Sequence, residues 1–138
     1  MEINFYFEDV NSFNLNKDLS LWIQQTIKNE NKQTGVINIV FCSDDYLLKM
    51  NKEHLQHDYF TDIITFDYCE NDTVSGDLFI STDRVEENAK KYKVVFLNEL
   101  NRVIIHGVLH LLTYNDKTDE QQNEMTKKEN FYLAKLNV

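Results

Sequence analysis

The sequence predicts one α/β (α+β) domain, a small mixed four-stranded sheet packed with about five helices, and three observations lead there. Short segments that alternate, or that are rich in β-branched and aromatic residues, are interleaved with segments whose apolar residues recur every three to four positions. No linker, repeat or low-complexity stretch interrupts the 138 residues, so 1–138 reads as a single domain. The stretch Asn98 to Asp116, NELNRVIIHGVLHLLTYND, is almost wholly apolar, as expected of a helix buried at the centre between the sheet and its neighbours.

The elements follow in order. Residues 2–7, EINFYF, set Ile3, Phe5 and Phe7 against Asn4 and Tyr6, a first strand with two unequal faces. A helix capped by Asn16 is expected next, with Leu19, Trp22, Ile23 and Ile27 on its apolar face, running to about Lys32 and stopped by Gly35. Val36 to Cys42 reads as the second strand, and Ser43, Asp44 and Asp45 make an acidic helix start before Tyr46, Leu47 and Met50. Asn51 to Phe60 is polar and histidine-bearing, and reads as a loop. Thr61 to Tyr68 is the third strand and Val74 to Ser81 the fourth, joined by the turn Cys69 to Thr73 as an antiparallel hairpin. Asp83 with Glu86 has the spacing of a capping box before Val85, Ala89 and Tyr92. The histidine-bearing central helix comes next. Thr118 with Gln121 forms a second capping box, opening a terminal helix that presents Met125, Tyr132, Leu133 and Leu136.

Composition narrows the function classes. A formal charge of −9 argues against a protein that coats nucleic acid through long-range attraction, while leaving room for a local basic patch such as Lys90, Lys91 and Lys93. No apolar run approaches the roughly 20 residues of a membrane span, so a soluble protein with no membrane partner is expected. Cys42 and Cys69 follow no hydrophobic leader and make no C-x-x-C pattern, which points to free thiols in a cytoplasmic protein and to no disulfide-linked partner.

His106 and His110 carry the chemistry. Positions four apart lie on one face of a helix, so both imidazoles can reach one metal ion. Glu99, Arg102, His106, His110 and Thr113 form a narrow polar stripe on an otherwise apolar helix, and such a stripe suggests a cleft. The zinc-peptidase motif H-E-x-x-H needs a glutamate after its first histidine, and that position is Gly107, so activation of water would rest mostly on the metal.

At these residues the chain resembles the YbeY-type rRNA maturation factors. The family signature H-G-x-L-H-L-x-G-Y-D-H is similar to His106-Gly107-Val108-Leu109-His110-Leu111-Leu112-Thr113-Tyr114-Asn115-Asp116. Thr61-Asp62-Ile63-Ile64-Thr65-Phe66 resembles the family's T-D-V-L-S-F strand, Gly76-Asp77-Leu78-Phe79-Ile80-Ser81 its G-D-I-x-I-S strand, and Glu87-Asn88-Ala89 its following helix. The resemblance implies a single-strand-specific, metal-dependent endoribonuclease acting in maturation of the 3′ end of 16S rRNA and in ribosome quality control. It implies ribosomal RNA and the small ribosomal subunit as partners, and one zinc ion per chain whose bound water attacks the phosphodiester.

The match has departures. The third metal-binding histidine falls on Asp116, and since a carboxylate is also a zinc ligand, the implied metal set is His106, His110 and Asp116. The signature's glycine is Thr113, at a place suited to a left-handed helix terminus. An arginine of the family falls on Leu55, leaving His57 and Arg84 as the nearest candidates to hold phosphate. His54 and His57 read either as a second metal site or as an exposed loop. Asp62 and Asp77 read either as hydrogen-bond partners of the metal histidines or as residues that merely end strands. Two other functions stay open: a metallohydrolase acting on another substrate such as a peptide, and a non-catalytic ribosome-assembly factor with a structural metal.

Overall fold

The computed structural model describes residues 2–55 and 61–136. The order is β1 (Glu2–Phe7), α1 (Leu19–Asn29), β2 (Gln33–Cys42), α2 (Asp44–Leu55), β3 (Ile63–Asp67), β4 (Thr73–Ser81), α3 (Thr82–Tyr92), α4 (Phe96–Leu111) and α5 (Asp119–Leu136). The sheet is mixed, with strands in the order β1-β2-β4-β3. β1, β2 and β4 run parallel, and β3 closes one edge as the antiparallel partner of β4 in the expected hairpin.

The two faces of the sheet are dressed unequally. Ile37, Ile39 and Phe41 of β2 with Leu78 and Ile80 of β4 meet Leu19, Trp22, Ile23 and Ile27 of α1 and the apolar surface of α4 in one core. On the opposite face α2 covers a smaller cluster built on Cys42, Leu47 and Ile64. Trp22 donates its indole N–H to the Tyr132 carbonyl at 2.8 Å, which ties α1 to α5 across the core. α4 is buried nearly all round, through Leu100, Val103, Ile104, Ile105, Val108, Leu109 and Leu111, because elements pack on it from several sides.

Several boundaries differ from the sequence reading, each for a local reason. α1 starts two positions later than Asn16 implies: Asp18 is the cap residue, and the Asn16 side chain instead accepts from the Asp18 N–H at 2.8 Å. The helix ends at Asn29, with Asn31 in the left-handed region at φ 65°, so Gly35 stops nothing and lies inside β2. A Cβ on Gly35 would stand 2.1 Å from Ser75 Oγ, beside the irregular register between Thr34 and Ile37, so the glycine permits close approach of β2 and β4. α2 runs through residues expected to form a loop. α3 is capped by Ser81, whose hydroxyl accepts from the Arg84 N–H at 3.1 Å, whereas α2 is capped by Ser43, whose hydroxyl accepts from the Tyr46 N–H at 3.1 Å, and the Asp83 carboxylate accepts from the first N–H of α2, that of Asp44, at 2.9 Å. The Thr118–Gln121 capping box is present and reciprocal, at 3.1 and 3.3 Å.

Candidate metal centre

α4 holds His106 and His110 one turn apart on its only half-exposed stripe, with ring centroids 4.5 Å apart and the rings nearly perpendicular. Their Nε2 atoms face each other at 3.0 Å. The helix then ends in a Schellman motif, with the Thr113 N–H donating to the His110 carbonyl and the Tyr114 N–H to the Leu109 carbonyl, both at 3.0 Å. Thr113 sits at φ 75°, so this β-branched residue takes the left-handed conformation that a glycine adopts without strain. That reversal brings Asp116 back over the helix end, its Oδ2 3.2 Å from His106 Nε2 and 3.4 Å from His110 Nε2.

The other ring nitrogens decide the chemistry. His110 Nδ1 lies 2.9 Å from the Tyr114 carbonyl, which can only accept, so the ring carries its proton there and offers the Nε2 lone pair. His106 Nδ1 lies 2.6 Å from Oε2 of Glu129 on α5, and this carboxylate selects the same tautomer. Two imidazole lone pairs and a carboxylate oxygen therefore converge with no hydrogen-bond donor among them. An arrangement of that kind can hold a cation. A tetrahedral ion with bonds of 2.0–2.1 Å spaces its ligands by about 3.3 Å, and the observed separations of 3.0, 3.2 and 3.4 Å fit it. Among the described residues, this trio is the one cluster of metal-binding type.

The surroundings are acidic. Burial disfavours a charged His106, but the hydrogen bond and charge of Glu129, with Asp116 and Asp62, outweigh it and raise the ring above its ordinary pKa of 6.5. The same field that favours a proton favours a metal ion. Burial also raises the carboxyl groups of Asp62 and Glu99, the latter against the pull of Arg102. Glu129 is anchored in turn: Arg102 Nη1 donates to its Oε1 at 2.8 Å, and Arg102 Nη2 to Asn130 at 2.7 Å.

Two grooves meet at the trio. One, of about 760 Å³, is lined by Asn88, Tyr92, Asn98, Glu99, Arg102 and Glu129, among others. The second, of about 650 Å³, runs past Thr61, Thr65, His110, Asp116 and Lys117. Asp62 and His106 line both, whereas His110 and Asp116 line the second alone, so the two grooves join beside the trio into one trough and the polar stripe of α4 forms part of its floor.

The remaining candidates fall apart spatially. Asp77 is not beside the histidines: Gly76 and Leu78 point toward α4, so Asp77 points to the far face, where it accepts from Asn38 at 3.0 Å. Arg84 is engaged at 2.7 Å with Asp44, at the start of α2. His57 lies outside the described residues. Leu55 ends α2, and His54 sets its ring edge-on against Phe66. Sequence reasoning missed Glu129, although a signal existed. It lies four residues after Met125 and three before Tyr132, so a charge falls on the buried stripe of α5.

The comparisons with known proteins agree with this geometry. Residues 3–137 match the family described as Endoribonuclease YbeY. A protein of that name from Christiangramia forsetii is 45% identical over 137 residues, covering 99% of this chain and 96% of its own length. Another from Phocaeicola vulgatus is 48% identical over 122 residues, covering 88% of each chain. The solution structure of TM1509 from Thermotoga maritima superposes with a TM-score of 0.72 at 30% identity, covering 97% of this chain and 88% of the other.

Proposed function

The chain belongs to the YbeY endoribonuclease family, and from that premise we propose that it is a zinc-dependent, single-strand-specific endoribonuclease. Its task is maturation of the 3′ end of 16S rRNA and ribosome quality control, in the cytoplasm and on the small ribosomal subunit. The observation that carries this reading is the convergence of three electron-pair donors within an open trough. A trough open on both sides of the reacting centre suits a linear, unpaired chain better than a duplex.

His106, His110 and Asp116 would hold the zinc, which when bound would supply Lewis-acid stabilisation of a phosphodiester's developing charge and acidify water. The protein's own share is orientation. Glu129 and the Tyr114 carbonyl fix the two imidazole tautomers, and Arg102 keeps Glu129 from turning away. Lys117 provides a cation in the wall of the second groove, where phosphates flanking the scissile bond would pass. A phosphate role for Arg84 has no support, because Asp44 engages its guanidinium.

A peptidase of the H-E-x-x-H type is disfavoured by packing as well as by sequence. A Cβ on Gly107 would stand 2.7 Å from Ile63 Cδ1, so this position faces the sheet and has no room for a catalytic glutamate. The charge of −9 and Leu55 at the arginine position favour a second reading, a ribosome-assembly factor with a structural metal.

Cleavage of single-stranded RNA by the full chain, lost with a chelator and restored by zinc, separates these readings from each other. A peptide cleaved instead, or RNA bound and left intact, overturns the nuclease. Depletion of the protein in cells should leave 16S precursors with unprocessed 3′ ends, and normal ends would remove the maturation role.

A further inference from the structure

The carboxylate of Glu30, the residue just past α1, collects three donors from distant parts of the chain. Tyr114 OH donates to its Oε1 at 2.6 Å, Tyr132 OH donates to Oε2, and Lys128 Nζ lies 3.4 Å from Oε2. Asn29, beside it, donates to the Tyr132 hydroxyl at 3.0 Å, and the Lys128 ammonium stands 5.4 Å from the centre of the Tyr114 ring. Burial penalises the Glu30 charge, but these donors more than offset it and lower its pKa, so the knot is ionic.

Two lines run from this knot to the metal centre. Tyr114 is the residue whose carbonyl accepts from His110 Nδ1, and it lies two positions before Asp116. α5 supplies both Lys128 and Tyr132 to the knot and Glu129 to His106. The backbone between helix and loop is poorly suited to hold this turn alone, because Thr113 must stay left-handed. Besides its two Schellman hydrogen bonds, the turn has one side-chain anchor on the neighbouring residue, the Tyr114 hydroxyl on Glu30.

We propose that Glu30 is a positioning residue for the metal centre. Through Tyr114 it sets the carbonyl that orients His110 and the turn that delivers Asp116. Metal affinity and coordination geometry thus depend on a residue at the end of α1 that touches none of the three ligands. This rests on the reading that the trio holds a metal.

The test uses cobalt(II) as the probe on the full chain, comparing the parent with Glu30→Gln, Tyr114→Phe and the core control Ile23→Val. Tyr114→Phe removes a single hydroxyl and keeps the test alive if Glu30→Gln does not fold. The expected result is a 10- to 100-fold weaker cobalt affinity in both knot variants, the range found when a group supporting a ligand is removed. A changed visible absorption band should accompany it. Ile23→Val should lower thermal stability without moving either readout. Cobalt binding like the parent's in both knot variants overturns the proposal, and so does a loss in Ile23→Val that matches theirs in proportion to stability. A parent that takes up no cobalt removes the metal reading itself, a result distinct from the other two.

Discussion

His106 is gripped on one nitrogen by Glu129 and faces lone pairs on the other, so its two partners define both its protonation and its use. Glu129→Gln should therefore weaken metal binding about 10- to 100-fold, as read by competition with a chromophoric chelator. In the metal-free chain the sign of the pH effect follows from the raised pKa. A group whose pKa rises on folding stabilises fully below its unfolded value, here about 6.5, and that contribution is lost as pH climbs through the folded value. Thermal melts of the metal-free parent should thus lose stability above pH 6.5, and Glu129→Gln should flatten that decline. An unchanged slope would mean that His106 is not the titrating group. Asp116 offers a second test at this scale. Asp116→Ala should lower metal affinity at least as much as losing a supporting carboxylate, about 10- to 100-fold, whereas Asp116→His should keep the metal because imidazole is an equivalent ligand. Isothermal titration with zinc decides between them.

At the scale of elements, the end of α4 and the start of α2 are where local chemistry was least obvious. The left-handed backbone at Thr113 costs roughly 1–2 kcal/mol in an L-residue with a side chain. A glycine there would add only about 0.4–1 kcal/mol of unfolded-chain freedom. Thr113→Gly should therefore raise the denaturant midpoint, and a fall would show that the threonine side chain makes a contact that outweighs its strain. The N-terminus of α2, capped by Ser43, takes a further acceptor from a carboxylate that sequence spacing assigned to another helix. Asp83→Ala should cost about 0.5–1.5 kcal/mol, the net worth of one hydrogen bond, because it leaves the Asp44 N–H without that acceptor. If chemical denaturation shows no loss, Asp83 does not support the start of α2.

Across the whole molecule, an acidic chain is asked to hold a polyanion. The net charge of −9 opposes RNA at long range, so under the proposed function attraction would come from a metal held by the trio and from a few cations such as Lys117 along the trough. With few phosphates neutralised, few counterions are released. Cleavage under subsaturating RNA should therefore decline only shallowly as salt rises, and a steep decline would reveal a basic surface away from the trough. No single helix among the described residues is long and apolar enough to cross a membrane, and the apolar stretch in α4 is instead consumed by the core.

The sequence by itself determined the order of elements, the antiparallel hairpin, the buried central helix and the pair His106 and His110, since each is written in local periodicity or in positions a turn apart. The quoted signature also brought Asp116 into view. Only the tertiary structure decided the rest, because it depends on contacts between residues far apart in the chain. Glu129 reaches His106 from 23 positions away and Glu30 reaches Tyr114 from 84. Asp77, though near Asp62 in pattern, was turned to the opposite face because β4 alternates its side chains across the sheet. Periodicity records which face of an element is buried. Which distant groups meet over that face is set by how helices and strands pack.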